Sequence, residues 1–253
     1  MGTAELFDLT GKVAAVTGGA RGLGREMIRA FAEAGADVVI ASRKVDACHE
    51  YAAEIRETTG RRALAVGCHV AKWDECGALV DAIYAEYGRC DVFVNNAGMS
   101  PLYPDLVSVT EELYDKTLGV NLKGPFRLGS LVGARMAEGD GGSIINVSTS
   151  GSQMIGQTEL PYGCAKAGLN ALTVGLAEAY APKVRVNTLM PGPFLTDASR
   201  SWAENFDVKL PNYLGRIGRP DEIVGAAMFL ASDASSFMTG GTVRVDGGTT
   251  KHV

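Results

Sequence analysis

The chain has 253 residues, enough for one large α/β domain or two small ones. Apolar side chains make up 46%, which supports a sizeable core and excludes a disordered chain. Lys and Arg total 24 against 29 Asp and Glu, a net charge of −5, so the basic footprint that nucleic-acid binding needs is missing.

Short apolar runs alternate with longer helical patterns along the whole chain. Residues 12–17, 37–41, 63–66, 91–94, 143–147, 184–189 and 242–245 read as strands. They are β-branched and almost continuously apolar, as strands covered on both faces must be. Between them, residues 25–34, 46–59, 74–87, 121–137, 161–181 and 221–230 read as helices. The first has Met27, Ala30, Phe31 and Ala34 on one face and stops at Gly35. Strand–helix alternation with short connectors predicts a doubly wound α/β sheet, one domain over residues 1–253. The least regular stretch, about 191–219, reads as a substrate lid.

Three histidines without ligand spacing give no reason to expect a metal. Cys48, Cys68, Cys76, Cys90 and Cys164 form no C-x-x-C and read as thiols of a reducing compartment. Residues 1–10 carry Glu5 and Asp8 and no apolar stretch, so they do not read as a signal peptide. No segment reaches the roughly 18 apolar residues of a membrane span. The expectation is a cytoplasmic protein with neither membrane nor nucleic-acid partner.

The first strand runs into Thr17-Gly18-Gly19-Ala20-Arg21-Gly22-Leu23-Gly24 and then a helix. Glycines there allow a tight turn and a close backbone approach to a pyrophosphate, bound by the helix-start N–H groups. A strand before and a helix after are the context that such a turn requires. At the end of the second strand stands Ser42-Arg43-Lys44, with no carboxylate before Asp46. A carboxylate at that place bonds a ribose 2′-OH, whereas a 2′-phosphate calls for a cation. Arg43, Ser42 and Arg21 therefore favour NADP(H) over NAD(H). Asn95-Asn96-Ala97-Gly98, at the end of the fourth strand, sits next to the expected reversal of strand order and reads as a crevice wall or a plain turn.

Tyr162 and Lys166 stand at i and i+4, facing the same way if helical. A free phenol titrates at about 10, too high for acid/base work at neutral pH, and a neighbouring cation favours the phenolate. Thr149, just past the fifth strand, places a hydroxyl at the same sheet edge. Asn121 heads the long helix and reads either as an anchor for a proton-relaying water or as an N-cap.

In combination these segments resemble the short-chain dehydrogenase/reductase family, in its compact single-domain branch, over about residues 12–248. The motifs occur in the family's order: Thr17-Gly18-x-x-x-Gly22-x-Gly24, Asn95-Asn96-Ala97-Gly98, Asn121, a hydroxyl residue, Tyr162-x-x-x-Lys166 and Pro191-Gly192. The resemblance implies a Rossmann-type parallel sheet of seven strands in the order 3-2-1-4-5-6-7, with helices on both faces, and homotetramers. It also implies Tyr162 as the acid/base, with Lys166 lowering its pKa and bonding the nicotinamide ribose. Asn121 is implied as the water anchor, and Pro191, Gly192, Phe194 and Thr196 as part of the nicotinamide pocket. Leu23 and Val70 complete the cofactor contacts.

The chain departs from the family pattern twice. The hydroxyl residue, usually serine, falls on Thr149, with Ser148 as second candidate and Ser150 as third. Threonine adds a methyl and a stiffer χ1. His69 stands where an aspartate usually bonds the adenine amino group, and reads as an accepting ring nitrogen or as a structural histidine. Phe194, Trp202, Phe206 and Tyr213, with Met154 and Ile155, suggest an apolar-walled site for a ring ketone or β-keto acyl compound. Residues 215–222 are similar to a segment of 3-oxoacyl-carrier-protein reductases and gluconate-type dehydrogenases. The expected activity is hydride transfer between NADP(H) and a small carbonyl or alcohol. The rival reading is a non-catalytic dinucleotide-binding sensor or scaffold.

Overall fold

The computed structural model describes residues 2–196 and 212–250; Trp202 and Phe206 of the expected lid lie outside them. The strands are β1 (Val13–Thr17), β2 (Asp37–Ser42), β3 (Ala63–Gly67), β4 (Val92–Asn95), β5 (Gly142–Val147), β6 (Val184–Pro191) and β7 (Thr242–Val245). They pair in parallel in the order β3-β2-β1-β4-β5-β6-β7. After α1 (Thr3–Leu6), the α-helices are α2 (Gly22–Glu33), α3 (Val45–Thr59), α4 (Trp73–Tyr87), α5 (Glu111–Leu118), α6 (Gly124–Glu138), α7 (Leu160–Tyr180) and α8 (Val224–Ala231). Among the described residues no helix is long and apolar enough to cross a membrane.

The unbroken apolar strands have a direct explanation in the two core layers. Ala14 and Val16 of β1 face one layer, shared with Met27 and Phe31 of α2 and Ile55 of α3. Val13 and Ala15 face the other, shared with Leu79 and Ile83 of α4 and Leu128 of α6. With side chains alternating along a strand, both faces must be apolar. The chain winds outward from β1 to β3 and returns to β4 on the other side of β1. That reversal opens a crevice at the carboxyl ends of β1 and β4.

A buried polar chain fixes α7 against the sheet. The Asn95 amide donates to Asn146 Oδ1 (2.9 Å), and Asn146 donates to Thr173 Oγ1 on α7 (2.9 Å). The Thr188 hydroxyl of β6 donates to the same Thr173 oxygen (3.0 Å). These groups have no water to turn to, so the helix cannot slide without leaving them unpaired.

One helix differs from its sequence expectation. The expected start at Asn121 is replaced by an earlier start at Glu111, where Thr110 Oγ1 accepts from the Leu113 N–H (3.1 Å). A π turn over Gly119–Lys123 then joins α5 to α6. The cause is Pro125: it has no N–H to give the Asn121 carbonyl, and its ring would press on that carbonyl in α geometry. The wider π turn relieves the contact, so Asn121 lies inside a long bent helix and not at its head.

Asp91, 7% exposed, orders the start of β1 by accepting from the Val13 N–H (2.9 Å) and from Arg89 Nε and Nη2 (2.9 and 2.6 Å). Asp91→Ala strands these donors and should lower stability by about 2–3 kcal/mol, read as a lower urea midpoint with unchanged m.

Candidate active site

The glycine turn is built for close approach. Gly18 and Gly22 have φ of +67° and +52°, and a Cβ on Gly24 would stand 2.3 Å from the Gly18 carbonyl oxygen. Thr17 stitches the turn to the end of β4, accepting at its hydroxyl from the Asn96 and Ala97 N–H groups (3.0 and 3.1 Å). Asn96 returns a bond from Nδ2 to the Thr17 carbonyl (2.8 Å). The N-cap of α2 is Arg21, whose side chain makes no capping bond. The first N–H groups, from Gly22 through Leu23 and Gly24, are thus open to an anion.

Arg21 and Arg43 are exposed and have no ion-pair partner among the described residues. Ser42 ends β2, its Oγ accepting from the Lys44 N–H (3.3 Å). Across the crevice, Thr196 comes within 3.5 Å of where a Gly22 Cβ would stand. Pro191 ends β6, and the Gly192 N–H donates to the Val245 carbonyl (2.9 Å). The close-approach glycines and the uncapped N–H groups at the start of α2 suit a dinucleotide's pyrophosphate, so the residues fit that cofactor.

Three expected cofactor contacts are placed differently. Asn95, 2% exposed, turns its side chain into the buried polar chain, so only its backbone reaches the crevice. Phe194, 6% exposed, packs in the core against Gly218 rather than over an open site. His69 Nδ1 accepts from the Ala71 N–H (3.2 Å), which puts the proton of neutral imidazole on Nε2. The free nitrogen therefore donates, and the expected acceptor for an adenine amino group is not there. Val70 beside it is buried, with its carbonyl accepting from the Cys76 thiol (3.2 Å). Tyr213, of the expected lid, is 74% exposed and lies against Gly248.

Tyr162 and Lys166 occupy the first two turns of α7. The Thr149 side chain neighbours the Tyr162 phenol, and its hydroxyl favours the phenolate. Thr149 is itself held by two contacts: its Oγ1 accepts from the Gly151 N–H (3.2 Å), and its carbonyl accepts from the Ser152 hydroxyl (2.7 Å). Ser148, 3% exposed, donates toward the Lys166 carbonyl (3.4 Å) underneath the helix, and Ser150 is buried. Of the three hydroxyl candidates, Thr149 is the one whose hydroxyl acts on the phenol.

Lys166 is 3% exposed, donates to the Val147 carbonyl (2.7 Å) and sits 5.9 Å from the Tyr162 ring centre. Burial drives the ammonium down to about 7. Burial also pushes the phenol up to about 12, with the Thr149 hydroxyl opposing and the Glu159 charge adding to the rise. The expected lowering of the phenol by Lys166 is thus absent from the protein alone. Desolvation penalises both charged forms and outweighs a cation that is itself half discharged near neutrality.

Asn121 Nδ2 donates to the Met99 and Thr117 carbonyls (2.8 and 2.9 Å), and its Oδ1 accepts from the Met99 N–H (3.3 Å). A Cβ on Gly98 would stand 3.1 Å from that oxygen and 3.7 Å from Lys166 Nζ. Asn121 and Lys166 therefore share one small space that only glycine leaves open.

Two residues at the cleft carry no sequence signal. Tyr103 donates to the Gln157 carbonyl (2.8 Å) and accepts from the Leu160 N–H (2.7 Å), binding the loop before α7. Glu159 projects beside Thr149 and Tyr162. Both lie in irregular segments, where no periodicity shows which way a side chain turns.

A family model described as enoyl-(acyl carrier protein) reductase matches residues 18–250. A NAD-dependent glycerol dehydrogenase of Listeria innocua is 35% identical over 248 residues, 96% of each chain. A solved short-chain type dehydrogenase/reductase from Mycobacterium marinum superposes with a TM-score of 0.92 at 35% identity, covering 97% of this chain and 98% of that one. A gluconate 5-dehydrogenase from Burkholderia cenocepacia, in complex with NADP and tartrate, gives 0.94 at 33% identity over 100% of both chains.

Between pH about 7 and the ordinary lysine value of 10.5, the unfolded chain keeps the Lys166 proton and the folded chain loses it. Stability must therefore rise with pH across that window. Lys166→Met should be more stable than wild type by about 2 kcal/mol at about pH 6.5, with the gain shrinking toward about pH 9.5, as followed by urea unfolding.

Proposed function

The chain belongs to the short-chain dehydrogenase/reductase family, and from that premise we propose that it moves a hydride reversibly between NADP(H) and a carbonyl or secondary alcohol, with Tyr162 as the acid/base. The observation that carries this reading is the Tyr162 phenol beside the Thr149 hydroxyl, one helical turn from Lys166. A bound nicotinamide would give the hydride in reduction and take it in oxidation.

In this reading Gly18, Gly22, Leu23 and Gly24 hold the pyrophosphate, and Arg21, Ser42 and Arg43 hold the 2′-phosphate. His69 and Val70 line the adenine end. Ala97, Gly98 and the Asn95 backbone line the ribose, and Pro191, Gly192 and Thr196 the nicotinamide. Phe194 backs this wall from the core.

Thr149 donates to the substrate oxygen and fixes its place beside the phenol. Tyr162 gives its proton to that oxygen as negative charge develops there, and takes it back in oxidation. Lys166, poised near neutrality, restores the phenol's proton, and Asn121 anchors the water through which Lys166 is recharged. The high phenol value in the protein alone suits a group that must hold its proton until the reacting oxygen arrives.

The cofactor preference rests on charge. Two unpaired guanidinium groups flank the end of β2 and the glycine turn, and no carboxylate precedes Asp46. Relatives divide here: the Listeria enzyme is named for NAD, the Burkholderia structure holds NADP. The protein works in the cytoplasm as a homotetramer in this reading. The groove of about 640 Å³ lined by Leu118, Leu122, Phe126 and Leu172, with Asp115 and Lys123 also on its lining, supports self-association.

A carbonyl panel followed by loss of NADPH absorbance tests the activity. Tyr162→Phe should lower kcat by about 10²–10⁴-fold while dinucleotide Kd stays within about twofold. Arg43→Ala should raise the KM for NADPH about 10–100-fold and leave that for NADH nearly unchanged. A wild-type enzyme with the better kcat/KM on NADH would overturn the cofactor assignment.

A further inference from the structure

The segment before Tyr162 exposes apolar side chains together with the polar Gln153, Gln157 and Thr158. Met154 and Ile155 are 51% and 38% exposed, and Leu102 and Leu160 are exposed beside them. Among them stands Glu159, partly buried, its carboxylate without a hydrogen-bond or ion-pair partner among the described residues. Its Oε2 lies 3.6 Å from where a Gly151 Cβ would stand, and Thr149 Oγ1 lies 3.5 Å from the same point. Glu159 is the N-cap residue of α7, yet its side chain makes no capping bond. The carboxylate is thus held at the cleft, three residues before the phenol, and not folded back onto its own helix.

The loop that carries it is fixed. The Glu159 N–H donates to the Gly156 carbonyl (3.1 Å), and the Tyr103 hydroxyl bridges the Gln157 carbonyl and the Leu160 N–H on either side. A carboxylate so placed accepts hydrogen bonds and donates none. It also repels any second anion brought within a few ångströms.

We propose that Glu159 selects the substrate: an uncharged compound with a hydroxyl next to the reacting carbon, an α-hydroxy ketone or vicinal diol, in preference to a keto or hydroxy acid. The hydroxyl donates to the Glu159 carboxylate while Thr149 and Tyr162 hold the reacting oxygen. This rests on the hydride-transfer reading above and adds the substrate class to it. A carboxylate placed only to favour the helix N-terminus would affect stability and leave substrate choice untouched.

Hydroxyacetone and pyruvate test it, being close in size and differing in that one group. Wild-type protein, Glu159→Gln and the surface control Glu178→Gln are compared by kcat/KM. Kd on protein without dinucleotide is measured by ligand-observed NMR. Wild type should favour hydroxyacetone, and Glu159→Gln should cut that preference about tenfold or more, the size of effect one partly buried charge gives at this range. Glu178→Gln, about five turns along the same helix, should leave it unmoved. A preference that Glu159→Gln does not change, or a wild type that favours pyruvate, overturns the proposal. If neither ketone nor the wider panel is reduced, the hydride-transfer reading fails, and the two Kd values decide the role of Glu159 by the same ratio.

Discussion

The site depends first on the bond from Asn146 to Thr173. All seven strands run in parallel, so their carboxyl ends gather on one edge, but an edge does not place a helix. Asn146 at that edge, joined on one side to Asn95 and on the other to Thr173, ties β4, β5 and α7 into one buried polar unit. The bonded groups are cut off from water, so the arrangement that keeps these bonds is strongly preferred over any shifted one. Tyr162 and Lys166 ride on the helix that this unit holds.

Holding that helix close has an electrostatic consequence. Lys166 enters a nearly dry space where its chief partner is the neutral Val147 carbonyl, and its ammonium is destabilised accordingly. The phenol, its ring centre 5.9 Å away, is destabilised as an anion for the same reason. With the phenol raised and the ammonium lowered, the neutral pair is the favoured state, and once Tyr162 has given up its proton a charged Lys166 returns one readily. The free-solution picture of a cation simply acidifying a phenol leaves out the burial that brings them together.

The π turn at Asn121 and the glycine at position 98 make a similar point about space. Pro125 breaks the regular helix where the chain passes the cleft, and Gly98 leaves a gap that any side chain would fill. Between them Asn121 and Lys166 face one another across a small cavity. Backbone irregularity here has a covalent cause in one proline and a steric one in one glycine.

Much of this was legible in the sequence, because strands buried on both faces, glycine turns and an i, i+4 pair are written in local spacing. Runs such as residues 37–41 show a two-sided strand directly, and the Thr17–Gly24 turn shows its helix. The family resemblance supplied the strand order. What local spacing does not carry is which way a side chain turns once distant segments meet. That is why His69 proved to bond its own loop, Phe194 proved to be core, and Tyr103 and Glu159 went unseen. The choice of Thr149 over Ser148 belongs here too: adjacent hydroxyls on an extended backbone face opposite ways, and only the packed helix decides which one meets the phenol. Sequence by itself determined the elements and the chemistry-bearing residue types, since both follow from neighbours along the chain. The tertiary structure alone decided burial, and with it the proton affinities, because desolvation depends on everything packed around a group.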